Sequence, residues 1–324
     1  MNERLTDKPQ EVKEPKRHSF LVDLVIRLIR EKPLGTVGGI IVLIMFIVGI
    51  FADFLAPYGY NVINLADRLD APSARYLLGT DNLGRDLLSR IIYGARISMM
   101  VGLFSAAIEA SMATLIGTVS GFFGGKTDLI IQRVVDAWMT LPGLVIYMTI
   151  MSIVGPGLLQ VILVLGLSGS IKSSRVLRSA VIGIKENIYV EAGKAIGATS
   201  RRILTRYILP NIMAPVIIIF TINVGKNILS EATLSFLGFG IPPPVPSWGG
   251  MLSGSGRQYM LQAPWMALWP GLALATAVYG INMLGDAVRD LLDPRLRGGL
   301  GRYGGLSQGK LQKIAGAKGP KQSS

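Results

Sequence analysis

Residues 158–171, LLQVILVLGLSGSI, decide how this chain is arranged. They form an apolar run of 14 residues that contains Gly166 and Gly169, which is short for a bilayer span of about 20 residues. The segment that follows, 172–211, holds eight of the 33 Lys and Arg residues in the chain. Because Lys and Arg favour cytoplasmic loops, this segment is expected inside, and it lies inside only if residues 158–171 cross the membrane.

Further apolar segments lie on both sides of this run. With the N-terminus inside, the predicted cytoplasmic segments hold 26 of the 33 Lys and Arg residues, and the predicted external loops hold six. This asymmetry predicts an all-α integral membrane protein with six transmembrane helices and cytoplasmic N- and C-termini. The predicted spans are Val37–Leu55, Ile97–Gly121, Ala137–Val154, Leu158–Ile171, Ile212–Leu229 and Leu268–Ala287.

The composition agrees with a membrane protein and excludes several other classes. Of 324 residues, 50% are apolar and 16% are charged, against about 25% charged residues in ordinary soluble domains. The absence of Cys excludes disulfide scaffolds, iron–sulfur clusters and thiolate zinc sites, and a single His excludes a His-rich metal site. The net charge of +13 is explained by the basic cytoplasmic segments, so no nucleic-acid partner is expected.

The two ends of the chain differ from its middle. Asp23, Arg27 and Arg30 fall on one stripe of a short apolar helix, which predicts a helix lying in the membrane interface, although an extension of the first span satisfies the same periodicity. The polar ends have the composition of disordered segments. The predicted organisation is a disordered cytoplasmic tail over 1–18, an interfacial helix over 19–33, a six-span domain over 34–297 and a disordered basic tail over 298–324.

Glu109 lies in the middle of the second predicted span, between Ala and Ser residues. A charge at bilayer depth is costly and indicates a function by default. Two interpretations stay open, because buried acids serve both purposes. Glu109 either belongs to a substrate pathway or accepts an interhelical hydrogen bond.

Two glycine patterns occur near the end of the second predicted span. Gly117, Gly121 and Gly125 recur at four-residue steps, which predicts a close contact between helices. Residues 120–127, SGFFGGKT, differ from a phosphate-binding loop by the Ser in first position, and they follow a predicted span where that loop would follow a strand. We therefore expect no nucleotide binding and no ATP hydrolysis by this chain alone. Catalytic signatures such as HExxH and GxSxG are also absent from the sequence, so we expect no enzyme activity.

The predicted cytoplasmic segment contains a second pattern, over residues 185–210. Tyr189, Ala192, Gly193 and Ile196 fall on one face of a short helix, and Gly197 is placed to end that helix in the left-handed conformation. Thr199 or Ser200 can cap a second helix that runs toward Pro210. A face of small and apolar residues predicts a docking element for a soluble partner, with an ordinary surface helix as the alternative.

These residues resemble a known family. Glu191-Ala192-Gly193 and Gly197, followed by Leu209-Pro210, are similar to the "EAA" loop of binding-protein-dependent ABC transporter permeases. Three further stretches resemble the C-type permease subunit of dipeptide, oligopeptide and nickel importers. They are Leu78-Gly-Thr-Asp-Asn-Leu-Gly-Arg-Asp-Leu-Leu-Ser-Arg90 with Gly94 and Arg96, Leu234-Ser-Phe-Leu-Gly-Phe-Gly-Ile-Pro-Pro-Pro-Val-Pro-Ser-Trp-Gly-Gly-Met-Leu252, and Asp290-Leu-Leu-Asp-Pro-Arg-Leu-Arg297.

The resemblance implies half of an importer in a bacterial or archaeal inner membrane. It implies a second homologous permease, an external substrate-binding protein and two ATPase subunits that hold ATP and Mg, with no cofactor in this chain. It also implies that the ATPases dock on residues 185–210, through Tyr189, Glu191, Ala192, Gly193, Ile196, Gly197, Leu209 and Pro210. Peptides are the expected substrates, and nickel or oligosaccharides are the alternatives within the same architecture.

Two alternatives from other classes are disfavoured by the sequence. A stand-alone secondary transporter is expected to show inverted repeats and coupling acids at the membrane midplane, and no convincing repeat is present. An intramembrane enzyme is expected to show convergent catalytic groups, which this chain does not offer. The sequence therefore favours a non-catalytic permease subunit.

Overall fold

The computed structural model describes residues 20–292, so the tails predicted at 1–18 and 298–324 lie outside the described residues. Within residues 20–292 the chain is helical, and its only β-type pairing is an isolated bridge between Thr80 and Asp86. The prediction of an all-α protein is confirmed for this range.

The chain begins with three consecutive helices. Helix α1 (Phe20–Glu31) is separate from α2 (Pro33–Ile50), and the short α3 (Ala52–Leu55) follows. Proline suits the first position of α2, because its missing N–H has no helical partner there. The structure thus has a distinct helix where the interfacial helix is predicted, and its place at the membrane surface stays a prediction.

Helix α4 (Leu87–Phe123) is the longest helix in the described chain and packs along α7 (Leu158–Lys185). A Cβ atom on Gly117 would lie 2.7 Å from the Ser174 carbonyl oxygen, and one on Gly121 would lie 2.9 Å from the Arg178 carbonyl oxygen. These two glycines confirm the predicted close contact between helices. For Gly125 the prediction is wrong, because a Cβ atom there would have no neighbour within 4 Å.

The third predicted span does not form one straight helix. Helix α5 (Gly125–Met139) and helix α6 (Gly143–Val154) meet at an angle of 90°. Pro142 stands at the junction with extended backbone, which fits the preference of proline for helix starts. The predicted span Ala137–Val154 therefore straddles a bend, and the preceding segment expected as a loop is helical.

The fourth predicted span, Leu158–Ile171, continues as helix α7 through Lys185. The helix is 28 residues long, which corresponds to about 42 Å at 1.5 Å per residue. Lys172, Arg175 and Arg178 lie in its second half. The start of the predicted cytoplasmic segment thus belongs to the same rigid helix as the apolar run.

Short helices and two long ones complete the described chain. Helix α10 (Met213–Phe236) packs against α4 and α13 (Trp265–Leu292), and α13 packs against α2. The remaining helices are α8 (Ile188–Ala195), α9 (Ser200–Ile203), α10 (Met213–Phe236), α11 (Trp248–Leu252), α12 (Ser255–Gln258) and α13 (Trp265–Leu292).

Four helical segments of the described chain are long and apolar enough to cross a membrane, and the bent pair of α5 and α6 would make a fifth. The four are Pro33–Ile50, Leu87–Phe123, Ser200–Phe236 and Trp265–Leu292. They correspond to the first, second, fifth and sixth predicted spans. Helix α7, which contains the fourth, does not belong to this set.

Candidate functional site

Helix α8 presents an apolar stripe to solvent. Ile188 and Ile196 are 84% and 82% exposed, and Ala192, between them, is also exposed. Their spacing of four residues places all three on one side of the helix. Isolated exposed apolar residues are common, but a stripe on a short helix beside a basic segment has the form of a docking surface. We refer to Ile188, Ala192 and Ile196 as the α8 stripe.

The opposite side of α8 is anchored in the protein. Val190 is fully buried, and Gly193 is buried with its Cβ position 3.6 Å from the ring of Tyr207. The prediction placed Gly193 on the outward face with Tyr189 and Ile196, and for Gly193 that is wrong. Gly193 is buried because Tyr207 covers it, while Tyr189 remains 44% exposed. Glu191 is exposed and lines a small cleft together with Lys185 and Lys194.

The end of α8 has the predicted backbone. Gly197 has φ +79°, and the amide of Ala198 donates to the Gly193 carbonyl oxygen at 3.0 Å, which is a glycine-ended helix terminus. The Thr199 side chain then accepts a hydrogen bond from the Arg202 amide at 3.4 Å and caps α9. The left-handed Gly197 and the Thr199 cap are confirmed, and their part in docking stays a prediction.

The helix predicted to run toward Pro210 does not end there. One helical segment runs from Ser200 to Phe236. It passes through a π-helical turn at Leu204–Ile208 and a 3₁₀ turn at Leu209–Ile212 before α10 begins. The local change of helix type accommodates the missing N–H of Pro210. The docking segment is therefore continuous with a long apolar helix at one end and follows α7 at the other.

Glu109 is completely buried and joins three helices. Its Oε1 accepts hydrogen bonds from Ser173 Oγ on α7 and from Asn223 Nδ2 on α10, each at 2.7 Å. Its Oε2 accepts one from Asn227 Nδ2 at 3.2 Å, and Lys226 Nζ lies 4.0 Å from Oε1. The carboxylate fits because a Cβ atom on Gly169 would lie 2.6 Å from it. The geometry is that of an interhelical hydrogen-bond network.

The loop before α4 is built around Asp81. Its Oδ2 accepts from Arg85 Nε at 2.7 Å, and Arg90 Nε lies 3.6 Å from the same atom. Asp86 accepts from the Ser89 amide at 2.8 Å and caps α4. Nearby, a hydrogen bond from Tyr76 Oη to Asp67 Oδ2, together with burial, raises the pKa of Tyr76.

The motif stretch Leu234–Leu252 packs against the motif stretch that begins at Leu78. Trp248 is fully buried, and its Nε1 donates to the Ile91 carbonyl oxygen at 3.1 Å. A Cβ atom on Gly94 would lie 3.0 Å from the Trp248 ring. Trp265 Nε1 donates to the Thr80 carbonyl oxygen at 3.1 Å. Residues of the two motif stretches are therefore neighbours in space.

The comparison with known families settles the class of this chain. A family model described as "Binding-protein-dependent transport system inner membrane component" matches residues 113–298, which is more than half of the sequence. The chain belongs to this family. A second model, "N-terminal TM domain of oligopeptide transport permease C", matches residues 19–72. The protein is therefore a multi-pass component of the inner membrane, as the sequence predicted.

Relatives of this inner membrane component are permease proteins of peptide transport systems. The dipeptide transport system permease protein DppC of Alkalihalophilus pseudofirmus is 38% identical over 83% of this chain and 88% of its own length. The oligopeptide transport system permease protein OppC of Bacillus subtilis is 36% identical over 86% of this chain and 91% of its own length. The probable D,D-dipeptide transport system permease protein DdpC of Escherichia coli is 34% identical over 91% and 98%, respectively.

A solved structure supports the fold of this component. An inward-facing structure of the MetNI methionine ABC transporter contains a chain that matches with a TM-score of 0.51 at 18% identity. The match covers 63% of this chain and 96% of the other. At this identity the comparison concerns the fold alone.

Residues 120–127, which differ from a phosphate-binding loop by one residue, have a structural role in this component. Ser120 is the fourth residue from the end of α4 and donates a hydrogen bond to Asp128 of α5. Gly124 ends α4 with φ +65°. The segment therefore connects two helices, whereas a phosphate-binding loop follows a strand.

Sequence reasoning missed the partners of Glu109. Asn223 and Asn227 stand four residues apart in a largely apolar span, which places both amides on one face of α10. That spacing was a usable signal, because amides in a span are expected to face other helices. Ser173 was missed because it was assigned to a loop, whereas it lies inside α7. Within residues 20–292 no group of three or more His, Cys, Asp or Glu side chains stands close enough to hold a metal ion.

Proposed function

We propose that this inner membrane component is one of two homologous permease subunits of an ATP-driven peptide importer. An external binding protein delivers dipeptides or oligopeptides, and two ATPase subunits supply ATP and Mg chemistry, so this chain is non-catalytic and needs no cofactor of its own. The names of the relatives support peptides as the substrate class, because dipeptide and oligopeptide permeases recur among them.

The observation that carries this proposal is the α8 stripe. Two isoleucines more than 80% exposed would be stabilised by about 1.5–3 kcal/mol each on burial against a partner. The helix beneath them is held by Val190 and Gly193, so little ordering is needed on binding. We infer that the ATPases dock on residues 185–210, with the α8 stripe in the contact and Gly197 and Glu191 at its edge.

Force transfer follows from the connections of α8. Only Glu186 and Asn187 separate α8 from α7. Helix α7 packs against the C-terminal part of α4, where Gly117 and Gly121 lie. When the ATPases close, a displacement of α8 therefore moves α7 as a rigid body. Such rigid-body tilting is a common route between outward-open and inward-open states.

The proposed topology has six spans with both termini cytoplasmic. It takes α7 as a crossing helix and the bent α5–α6 pair as the remaining one. This arrangement places α8 inside, together with the basic residues that follow α7. The second permease is proposed to cover the groove between α6 and α7. This groove has a volume of about 500 Å³ and is lined mostly by apolar side chains, including Trp138, Ile150 and Leu163.

The test is reconstitution of this chain with a sister permease, two ATPases and the binding protein in proteoliposomes. We expect ATP-dependent uptake of a labelled dipeptide that stops when the binding protein is omitted. The Ile188→Glu/Ile196→Glu variant should abolish the stimulation of ATP hydrolysis by loaded binding protein. Normal stimulation in that variant would show that the α8 stripe is not the docking site.

The alternatives are separated in the same assay. Competition by nickel or by an oligosaccharide, in place of peptide, would assign the substrate to one of those classes. Ion-coupled uptake by the chain alone would instead indicate a secondary transporter, and product formation by the chain alone would indicate an enzyme. The proposal predicts neither activity in the absence of partners.

A further inference from the structure

A cavity of about 260 Å³ lies where α6, α7 and α10 meet the end of α5. Its wall includes the aromatic side chains Trp138 and Tyr147, the hydroxyl-bearing Ser168 and Ser230, and two lysines, Lys172 and Lys226. None of its lining residues is an Asp or a Glu. The cavity is thus a positively charged recess with aromatic walls.

The positive charge of this recess is not balanced within the described chain. The side chain of Lys172 is exposed and makes no hydrogen bond or ion pair within residues 20–292. Lys226 has Glu109 at 4.0 Å, but that carboxylate already accepts three hydrogen bonds from other side chains. Asp136, on the helix α5 whose end borders the recess, is paired with Arg175. Lys172 therefore has no carboxylate partner in this range, and the one carboxylate near Lys226 is shared with three hydrogen-bond donors.

Both lysines lie far from the ends of their helices. Lys172 is 14 residues from the start of α7, and Lys226 is 13 residues from the start of α10, which are distances of about 20 Å along each helix. A lysine that faced lipid at such depth would cost about 2.5–3.5 kcal/mol. The recess must therefore face water or protein, as the wall of a transport pathway does.

We propose that this recess receives the carboxylate of the transported solute, with Lys172 and Lys226 as its binding groups. The inference rests on the proposed import function and narrows the substrate to solutes that carry a free carboxylate, such as peptides with an unblocked C-terminus. An unbalanced positive wall repels a divalent cation, so the same observation disfavours nickel. Trp138 and Tyr147 offer apolar area for the side chain beside that carboxylate.

The experiment compares lysine variants in the complete reconstituted transporter with loaded binding protein. The variants are Lys172→Gln, Lys226→Gln and the double variant, and the control is Lys126→Gln, an exposed lysine on α5 without an ion pair in the described chain. We expect labelled dipeptide uptake per ATP hydrolysed to fall about tenfold in the double variant, because each charge-assisted hydrogen bond contributes a large share of the binding energy. The control should transport normally, and Lys→Arg at both positions should restore most of the uptake.

Three results would overturn the inference. Unchanged uptake in the double variant would remove the lysines from the pathway. Failure of Lys→Arg to restore uptake would indicate that the positive charge is not what matters. Loss of the sister permease on purification of the double variant would show that the lysines pair with that subunit. Failure of the wild-type complex to take up any peptide would contradict the proposed import function. That outcome is distinct from the three above, which concern the lysines alone.

Discussion

Arg178 of α7 and Asp128 of α5 are joined by two parallel hydrogen bonds, from Nε to Oδ1 at 2.6 Å and from Nη2 to Oδ2 at 2.5 Å. Ser120 of α4 donates to the same Oδ1. The Asp128 carboxylate therefore joins three helices at the end of the bundle from which α8 projects. Planar bidentate pairs of this kind fix geometry as well as add energy.

We predict that Asp128→Asn lowers the stability of the purified protein by about 1–2 kcal/mol, between the values for exposed and buried ion pairs. The amide loses the charge and one acceptor for Arg178. Thermal unfolding in detergent measures the change.

The matched control is Asp136→Asn on the same helix. Asp136 pairs with Arg175, and both side chains are more exposed than those of the Asp128 pair. This variant should lose at most about 1 kcal/mol. Equal losses in the two variants would contradict a special role for Asp128.

Glu109 gives a second prediction, on stability within the membrane. Glu109→Ala leaves the amides of Asn223 and Asn227 without their acceptor and opens a cavity, so we expect a loss of about 2–5 kcal/mol. Glu109→Gln keeps one acceptor and the volume, so its loss should be smaller. Denaturant titration in detergent compares the two, and a loss under 1 kcal/mol for Ala would show that the network is not structural.

The sequence was sufficient to predict the helices with long apolar segments. It was not sufficient to predict the features that depend on tertiary packing. The bend at Pro142 could not be read from hydropathy, because Ala137–Val154 has the composition of a span on both sides of it. The proline was visible, but proline also occurs inside transmembrane helices, as Pro270 does in α13. Residues 172–185, the first part of the predicted cytoplasmic segment 172–211, are helical because their inner face packs against α4, and that contact is a tertiary one.

The candidate site was predictable where a local rule applies. Gly197 and Thr199 follow helix-end chemistry that a single sequence reveals. The orientation of Gly193 was not predictable, because it depends on Tyr207, fourteen residues away, folding back over it. The partners of Glu109 lie 64 to 118 residues away in sequence, so only their amide spacing on α10 was visible.

A third prediction tests the topology and uses the absence of native Cys. Leu261, between α12 and α13, is 95% exposed, and Ser200 is exposed at the start of α9. In sealed right-side-out vesicles, Leu261→Cys should react with a membrane-impermeant maleimide, and Ser200→Cys should react only after permeabilisation. The reverse pattern would contradict the six-span arrangement, and it is the pattern expected if α7 does not cross, because all later segments would then change sides. Labelling of both sites without permeabilisation would mean that the Ser200–Phe236 helix between them does not cross.

The last prediction concerns coupling at Gly197. Gly197 and Gly125 both have positive φ, at +79° and +53°, and a Cβ atom on either would meet nothing within 4 Å. A Trp at either position therefore carries a similar backbone strain of about 1–3 kcal/mol. The two positions differ because only Gly197 adjoins the α8 stripe, where an indole would separate Ile196 from an ATPase surface.

We expect Gly197→Trp to insert and pair with the sister permease, but to lose ATPase binding at least about tenfold, because the burial of one isoleucine is worth that much. Gly125→Trp should keep normal stimulation of ATP hydrolysis by loaded binding protein, since it shares only the strain. Gly117→Trp should prevent the helices of this chain from packing together, because its Cβ would lie 2.7 Å from the α7 backbone. Co-purification and stimulated ATP hydrolysis measure the three outcomes. Equal impairment by Gly125→Trp and Gly197→Trp would attribute the loss to strain and remove Gly197 from the docking site.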